Sequence, residues 1–332
     1  MHHCVKLLPV LLLLLGQNVY ADPNRSDADW LETMAFAAHQ TDYSGTFVYQ
    51  DGMGGNVEVS RISHIVDAHG EHERLESMSG IRRTVVSNNN QVWLFEGERK
   101  VRIERTHGEK GFPDLLPEQL SALKKNYFIR QAEEDRVAGF HVHAIVFQPK
   151  DNLRYSHKMW AHSQSGLLLK AEVLDERSRI IEQYAFTQLS LDKNVDRSWV
   201  EKAAPTVIAL ETDKDENSED ENSEAKADLE PKATDWQVDA LPSGFKKIMQ
   251  FCHPIRDKTI PVTHMVFSDG LAGISVFIEA VAGREYLNPG LSSQGAIQVY
   301  SRISGDTLIT VVGEVPPRTV MQVAESVRYA GE

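Results

Sequence analysis

The sequence predicts a mainly β protein of the α+β class: a large unclosed antiparallel β-barrel with helices on its concave side, followed by a smaller α+β domain. Three observations support this. Short strand-like runs follow one another with turn residues between them, as at 87–90 and 148–152. Few helical patterns interrupt the series, and an acidic segment then divides the chain. Sequential hairpins must curl to protect their edges, and a curled sheet tends to leave an apolar hollow.

The N-terminus is predicted to be an export signal over residues 1–21. Its apolar run, 7–15, is too short to cross a bilayer of about 30 Å, and Val19 and Ala21 offer small residues at the −3 and −1 positions of a cleavage site. No other segment is long and apolar enough to span a membrane. We therefore expect an exported, periplasmic chain that does not span the membrane.

The N-terminal domain is predicted over residues 22–205. It opens with a helix at 26–40, whose apolar residues follow helical spacing. A second helix is expected to begin at Pro117 and to carry Tyr127 on its apolar face. The strand candidates are 43–49, 56–66, 84–87, 91–95, 100–105, 140–148, 153–161, 167–174 and 179–189.

Residues 206–235 are predicted to be a flexible acidic linker. They carry eleven acidic residues against three lysines, a net charge of 3 − 11 = −8, and no aromatic residue. Residues 236–332 then form the second domain. Its strands are expected at 246–251, 261–268, 273–280, 296–303 and 307–314, and Thr319 is expected to cap a closing helix.

Nucleic acid is excluded as a partner by the charge. The formal net charge is −13, and both domains as well as the linker are acidic. Binding to phosphates requires clustered Lys and Arg on the protein.

Catalytic and metal sites have no support in the sequence. His141 and His143 share a strand face, but no further ligands stand at recognisable spacing. Cys252 and His253 are neighbours on a predicted strand, so their side chains point to opposite faces. A solvated loop is the expectation for His64, His69 and His72, which lie near a glycine turn. We predict no catalytic residues, no metal, no cofactor and no enzymatic activity.

Several short sequence motifs, taken together and in their order along the chain, carry a family resemblance. They are Asp29-Trp-Leu, the run 42–49, Arg136-Val-Ala-Gly, Pro149-Lys-Asp with Arg154-Tyr, Leu241-Pro-Ser-Gly-Phe, Ser268-Asp-Gly-Leu-Ala and Gly313-Glu-Val-Pro. Together they resemble the MucB/RseB family of sigma-E regulators over essentially the whole chain after residue 21. The linker is more acidic than the family pattern leads us to expect. Phe140 occupies the position after Val-Ala-Gly, where the family often has a basic residue.

The resemblance implies a fold and a function. The fold is a lipoprotein-carrier-like half-barrel joined to a smaller domain. The function is negative regulation of an envelope-stress sigma factor: the protein binds the periplasmic part of a transmembrane anti-sigma factor of the RseA or MucA type. Binding shields that part from the site-1 protease, and lipid or lipopolysaccharide relieves the shielding. The main alternative is a periplasmic lipid or lipoprotein carrier, for which the curved sheet alone would suffice.

Candidate binding residues follow from these expectations. The second domain is expected to make the principal contact with the anti-sigma factor, and the candidates are Ser268, Asp269, Gly270, Leu271 and Phe277. Lipid is expected against aromatic residues on the first domain's strands, because aromatic walls suit acyl chains. These candidates are Phe47, Tyr49, Trp93, Phe95 and Trp160, and ordinary core packing is the competing interpretation for each.

Overall fold

The computed structural model describes residues 27–52, 54–89, 91–97, 99–103, 111–117, 120–191, 195–203, 235–254, 261–281 and 289–330. The predicted export signal, 1–21, and residues 206–234 of the predicted linker lie outside this described part of the chain.

Eleven strands of the described chain form one antiparallel sheet in the first domain. They are β1 (Tyr43–Asp51), β2 (Val57–Asp67), β3 (Gly70–Ser77), β4 (Arg83–Asn88), β5 (Gln91–Glu96), β6 (Arg99–Ile103), β7 (Tyr127–Val137), β8 (Phe140–Pro149), β9 (Ser156–His162), β10 (Leu168–Leu174) and β11 (Ile180–Ser190). Their spatial order is β6-β5-β4-β3-β2-β1-β11-β10-β9-β8-β7. The edges β6 and β7 do not pair with each other, so the predicted unclosed antiparallel sheet is confirmed.

The main core of the first domain lies between this sheet and its helices, α1 (Asp27–Gln40) and α2 (Leu120–Asn126). Helix α1 buries Leu31, Met34 and Ala38, as its spacing predicts. A connecting segment, residues 111–117, inserts Phe112 and Leu116 into the same core. We call residues 111–117 the strap. The short helix α3 (Ser198–Ala203) packs on a separate small cluster.

The second domain is a six-stranded antiparallel sheet with one helix, as its α+β prediction requires. The strands are β13 (Lys246–Pro254), β14 (Pro261–Ser268), β15 (Gly273–Ala280), β16 (Gly290–Gln294), β17 (Ile297–Ser304) and β18 (Thr307–Gly313), in the order β13-β14-β15-β18-β17-β16. Helix α4 (Pro317–Glu325) packs against β17 and β18. Strands β12 (Trp236–Val238) and β19 (Val327–Tyr329) pair beside them.

Three local predictions are wrong. Tyr127 begins strand β7 instead of extending a helix. Helix α4 begins at Pro317 with Pro316 at its N-cap position, so Thr319 does not cap it. His64 and His72 are buried on β2 and β3 rather than in a solvated loop.

Polar partners explain the buried histidine on β2. The His64 Nδ1 atom lies 2.9 Å from the Thr41 carbonyl oxygen, and its Nε2 atom lies 3.0 Å from Glu71 Oε1. A buried polar side chain is tolerated when both ends are hydrogen-bonded.

Candidate functional site between the two domains

A buried ion pair joins the two domains. The Arg154 Nε atom donates to Asp269 Oδ2 at 2.6 Å, and the Tyr127 hydroxyl donates to the same oxygen at 3.0 Å. Arg154 and Tyr127 belong to the first domain, and Asp269 belongs to the turn between β14 and β15. We call these three residues the clasp. Both charged side chains are completely inaccessible to solvent.

The remaining polar atoms of the clasp also have partners. The Arg154 guanidinium donates to the Asp151 carboxylate and to the Ser243 carbonyl oxygen. The other Asp269 oxygen accepts the backbone N–H groups of Leu271 at 3.0 Å and Ala272 at 2.9 Å. A buried ion pair is tolerated when hydrogen bonds satisfy its atoms in this way, whereas removing one partner leaves an uncompensated charge.

The Tyr127 hydroxyl of the clasp does not lose its proton near neutral pH. Burial, and then the neighbouring Asp269 carboxylate, raise the pKa of Tyr127 well above its usual value. The hydroxyl therefore remains a donor to Asp269. The turn beside it is shaped for close contact, since Gly270 has a φ of +105° and a Cβ atom there would lie 3.0 Å from Pro117 of the strap.

Further contacts extend from the clasp across the interface. They are the Thr319 hydroxyl to the Leu153 carbonyl oxygen at 2.9 Å, Gln298 Nε2 to the Tyr155 hydroxyl at 3.3 Å, the Ala296 N–H to Glu182 Oε2 at 3.4 Å, and the exposed ion pair of Arg318 with Glu176. The Thr319 side chain, which does not cap α4, thus donates a hydrogen bond from the second domain to the first.

A cavity of about 340 Å³ also lies between the domains. One wall is formed by β9, β10 and β11, another by the strap, and the third by the face of the second sheet opposite α4. Apolar residues of the wall include Phe112, Leu115, Met159, Ala171, Val173, Tyr184, Ile248, Val266, Leu271, Ile274, Ile297 and Val312. His157, Glu172, Glu182, His264 and Glu314 add polar groups. Burial lowers the pKa of His157 to about 4, so this imidazole is neutral at pH 7.

The strap separates this cavity from the core of the first domain. The Phe112 ring centroid lies 5.2 Å from that of Phe47, 5.1 Å from that of Phe186 and 5.5 Å from that of Tyr184. The strap is held from its other side by Asp114, whose Oδ2 lies 3.3 Å from His39 Nε2 on α1. Phe112 therefore fills apolar space that a curved sheet would otherwise leave open.

The face of the second sheet that lines the cavity also carries an aromatic row, and His264 belongs to both. Phe277 stacks on His264 with a centroid distance of 4.1 Å, and Phe251 meets the same imidazole edge-on at 4.8 Å. All three side chains are half-buried. On β15 the alternate residues Ile274, Val276 and Ile278 are buried, so this strand packs one face and presents the other.

The predicted lipid residues do not form one pocket. Phe47 lies in the core, and Tyr49 packs against Tyr184. Trp160 is buried beneath the Lys158 and Lys170 ammonium groups. Trp93 and Phe95 lie on β5, which is remote from the cavity in strand order. The Lys100 ammonium group lies 4.3 Å from the Trp93 ring centroid, and Phe95 packs against the cluster below α3.

The predicted partner residues divide into two groups. Ser268, Asp269, Gly270 and Leu271 form the interdomain turn, in which Ser268 Oγ donates to the Ala272 carbonyl oxygen at 3.0 Å. Leu271 packs against the core of the first domain. Phe277 alone lies in the aromatic row. Sequence reasoning found the turn but missed Arg154 and Tyr127 as its partners, and it missed Phe112 and Tyr184 as cavity residues.

Comparison with known proteins identifies the family. The model of the MucB/RseB N-terminal domain matches residues 26–204, and that of the MucB/RseB C-terminal domain matches residues 230–328. The chain belongs to the MucB/RseB family. It is 32% identical to the sigma factor AlgU regulatory protein MucB of Pseudomonas aeruginosa, with 96% of each protein covered. It is 24% identical to the sigma-E factor regulatory protein RseB of Escherichia coli, with 96% of this chain and 94% of that protein covered.

Solved MucB structures share the fold over both domains. The structure of the Pseudomonas aeruginosa MucA/MucB complex matches with a TM-score of 0.69 and 27% identity, covering 91% of this chain and 98% of the solved chain. A crystal structure of MucB matches with a TM-score of 0.58 over 91% of this chain and 97% of that one. In the described part of this family member, no helix has the length and hydropathy to cross a membrane. Nor do the described histidines, cysteines and acids group into a metal site.

Proposed function

We propose that this chain is a periplasmic negative regulator of an envelope-stress sigma factor. In this proposal it binds the periplasmic part of a transmembrane anti-sigma factor of the MucA or RseA type and shields that part from site-1 proteolysis. The observation that carries the proposal is the match, across both domains, to MucB solved together with MucA. The chain acts by binding, and no catalytic step is part of the proposal.

The aromatic row of the second sheet is the contact surface we propose for the anti-sigma factor. Phe277 is half-buried, rigidly stacked on His264 and on the face away from α4. Aromatic anchors of this kind contribute strongly to protein interfaces. The turn 268–271 belongs to the same proposal, because Asp269 fixes how the second domain sits against the first.

Titration calorimetry with the anti-sigma periplasmic segment tests this. The chain 22–332 is expected to bind, and Phe277→Ala is expected to weaken binding roughly tenfold or more, the effect of losing an aromatic anchor. Phe128→Ala is the matched control, since Phe128 is an exposed phenylalanine on β7 of the first domain. Equal losses in the two variants, or none in either, would show that the aromatic row is not the contact.

Shielding is tested separately by proteolysis. The anti-sigma segment is incubated with the site-1 protease, with and without the chain. The wild type should slow cleavage in proportion to the fraction of segment bound, and Phe277→Ala should protect only at higher concentration. Binding without protection would mean that the chain forms a complex with the anti-sigma segment but does not shield it from cleavage.

Release by lipid is the last part of the proposal. The interdomain cavity is apolar along most of its wall, and Phe112 of the strap lies between it and the aromatic core residues Phe47 and Phe186. An acyl chain entering there would press on the strap and on the turn that holds the clasp.

Partner affinity measured at rising concentrations of lipid A tests the release. A tenfold weakening corresponds to a coupling of about 1.4 kcal/mol, and the partner must weaken lipid binding by the same factor. We expect the weakening to reach a plateau, which is the behaviour of two linked sites. Weakening without a limit would show direct competition, and no effect would remove the lipid-sensing role.

A lipid or lipoprotein carrier is the competing function, favoured by the curved sheet and by the cavity. Against it, α1, α2 and the strap fill the concave side of the sheet. Affinity purification from a periplasmic extract separates the two functions. Recovery of an anti-sigma segment supports the regulator, and recovery of acyl lipoproteins supports the carrier.

A further inference from the structure

One end of the first sheet carries exposed apolar side chains beside arginines. The exposed fraction is 55% for Val57, 50% for Met78 and 63% for Ile81. Arg82 and Arg83 follow Ile81 directly and are both exposed. We call these five residues the tip.

Backbone pairing shows that the members of the tip are neighbours. The Met78 N–H donates to the Val59 carbonyl oxygen at 2.8 Å, and the Val59 N–H donates to Ser79 Oγ at 3.0 Å. The turn after β3 thus runs beside the start of β2, where Val57 lies. The tip is a continuous surface made from two segments of chain.

The turn between β3 and β4 is open to solvent at its glycine. Gly80 has a φ of +68°, which the sharp turn requires, and a Cβ atom added there would meet no atom within 4 Å. The neighbouring turn between β1 and β2 differs, because Asp51 at its start packs against Gly295 of the second domain. The turn between β3 and β4 is therefore the one that a flat surface can approach.

The charge of this region differs from that of the whole chain. The chain has a formal net charge of −13, yet the sequence contains no acidic residue between Glu76 and Glu96. Arg83 Nε pairs with Glu96 Oε1 at 3.0 Å at the sheet surface. Other acids beside the tip are the exposed Glu58 on β2, Asp51, whose N–H donates to the Asn56 carbonyl oxygen, and Glu76, which pairs with Arg74. The Ile81–Arg82 pair is thus apolar and basic within an acidic protein.

We propose that the tip is a membrane-contact surface that inserts Ile81 and Met78 between the headgroups of an anionic phospholipid bilayer. Arg82 and Arg83 would then lie at the level of the lipid phosphates. An exposed apolar residue gains free energy by entering the interface, and each basic residue adds attraction to anionic lipid. The acidic remainder of the chain would be repelled from the same surface, so the tip rather than the acidic surfaces would face the bilayer. This inference does not depend on the anti-sigma function.

Vesicle flotation tests the proposal. Chain 22–332 contains every described helix and strand and omits the apolar run 7–15, which would bind vesicles itself. It is mixed with phosphatidylcholine vesicles that contain either no phosphatidylglycerol or about one third of it. Binding is expected only with phosphatidylglycerol and should weaken as salt is added.

Variants assign the contact to the tip. Ile81→Asp should weaken vesicle binding roughly tenfold or more, by loss of apolar burial, and Arg82→Glu should weaken it roughly fivefold or more. Ile303→Asp is the matched control, because Ile303 is 44% exposed on the second domain. Its binding should match that of the wild type.

Four outcomes would overturn the proposal. They are no binding of the wild type to anionic vesicles, equal binding to neutral vesicles, undiminished binding by Ile81→Asp, and equal loss in Ile303→Asp. Light scattering of the free protein adds a fifth: a dimer that Ile81→Asp dissociates would show that the tip binds a second copy instead. Circular dichroism of each variant confirms that a loss of binding is not a loss of folding.

Discussion

The interface between the domains has two neighbouring regions that differ in packing. At the clasp, Arg154 and Asp269 are completely buried, and their polar atoms meet partners on both domains. Beside the clasp, the two sheets enclose a cavity of about 340 Å³ with a mostly apolar wall, to which Gly270 and Leu271 of the Asp269 turn belong. The clasp defines one relative position of the domains, because an ion pair without solvent works only at one geometry. At the cavity, neutral donors such as the Ala296 N–H, which donates to Glu182, join the domains instead, and the apolar space can accept a ligand or close.

The strap contacts both regions. Pro117 lies against Gly270 in the turn that carries Asp269, while Phe112 and Leu115 line the cavity. A change in the cavity can therefore reach the clasp through seven residues of chain. If burial distinguishes these regions, substitutions at the clasp should lower the free energy of unfolding most. Substitutions at the strap should lower it less, and those on the exposed rim of the interface least.

Asp269→Ala is expected to have the largest effect. It leaves the Arg154 guanidinium buried without its main partner and should lower the free energy of unfolding by about 3–5 kcal/mol. Urea unfolding followed by tryptophan fluorescence measures this. The double variant Arg154→Met with Asp269→Leu should recover most of the loss, since it removes both charges. A double variant as unstable as the single one would mean that the loss comes from the shape of the turn rather than from the stranded charge.

Phe112→Ala should break the boundary between cavity and core. The ring is buried against three other aromatic residues, so its removal should lower the free energy of unfolding by about 3 kcal/mol. It should also enlarge the apolar cavity and increase the binding of an apolar fluorescent dye. Phe128→Ala on the exposed edge strand is the control, with an expected change within about 0.5 kcal/mol. Loss of stability without increased dye binding would mean that the cavity collapses when the ring is absent.

The His39 contact should make the strap sensitive to alkaline pH. Hydrogen bonding to Asp114, and then to Glu71, raises the pKa of His39 from 6.5 to about 10. A histidine whose pKa is higher in the folded than in the unfolded protein stabilises the fold. For His39 this stabilisation is complete below pH 6.5 and is lost as pH rises from 6.5 to 10. Because the side chain is one-third exposed, solvent screening should reduce the effect to about 1 kcal/mol.

The measurement compares the wild type with His39→Gln in urea at pH 6 and at pH 9.5. The difference in unfolding free energy should be largest at pH 6 and nearly absent at pH 9.5. His69→Gln is the control, because His69 is 87% exposed in the turn between β2 and β3. A difference that stays constant with pH would show that His39 contributes by packing alone.

The sequence predicted elements with strong periodicity and missed contacts between distant residues. The stripe of α1 and the alternation of β15 are local patterns, and the structure shows both. Strand β7 was missed because its residues from Arg130 to Arg136 are mostly polar and lie at an exposed sheet edge, with no apolar alternation. His64 was misplaced because its partners, Thr41 and Glu71, come from other elements.

The candidate site shows the same limit. The phrase Ser268-Asp-Gly-Leu-Ala stood out, but nothing near it in the sequence indicates that Asp269 pairs with Arg154, 115 residues earlier. Phe112 does not belong to a helical or alternating pattern of apolar residues in the sequence. Its role follows from the ring contacts that a folded sheet brings together, so only the structure could identify it.

The exposed ion pair at the rim of the interface should contribute least. Arg318 and Glu176 join the two domains, as the clasp does, but the side chains are 47% and 48% exposed. Solvent screening and side-chain entropy offset most of the attraction of such a pair, so the coupling energy from a double-mutant cycle should be about 0.5 kcal/mol. The cycle compares Arg318→Ala, Glu176→Ala and the double variant in urea, and the coupling should fall further in 1 M salt. If it matched the loss in Asp269→Ala, burial would not be the property that separates the clasp from the rest of the interface.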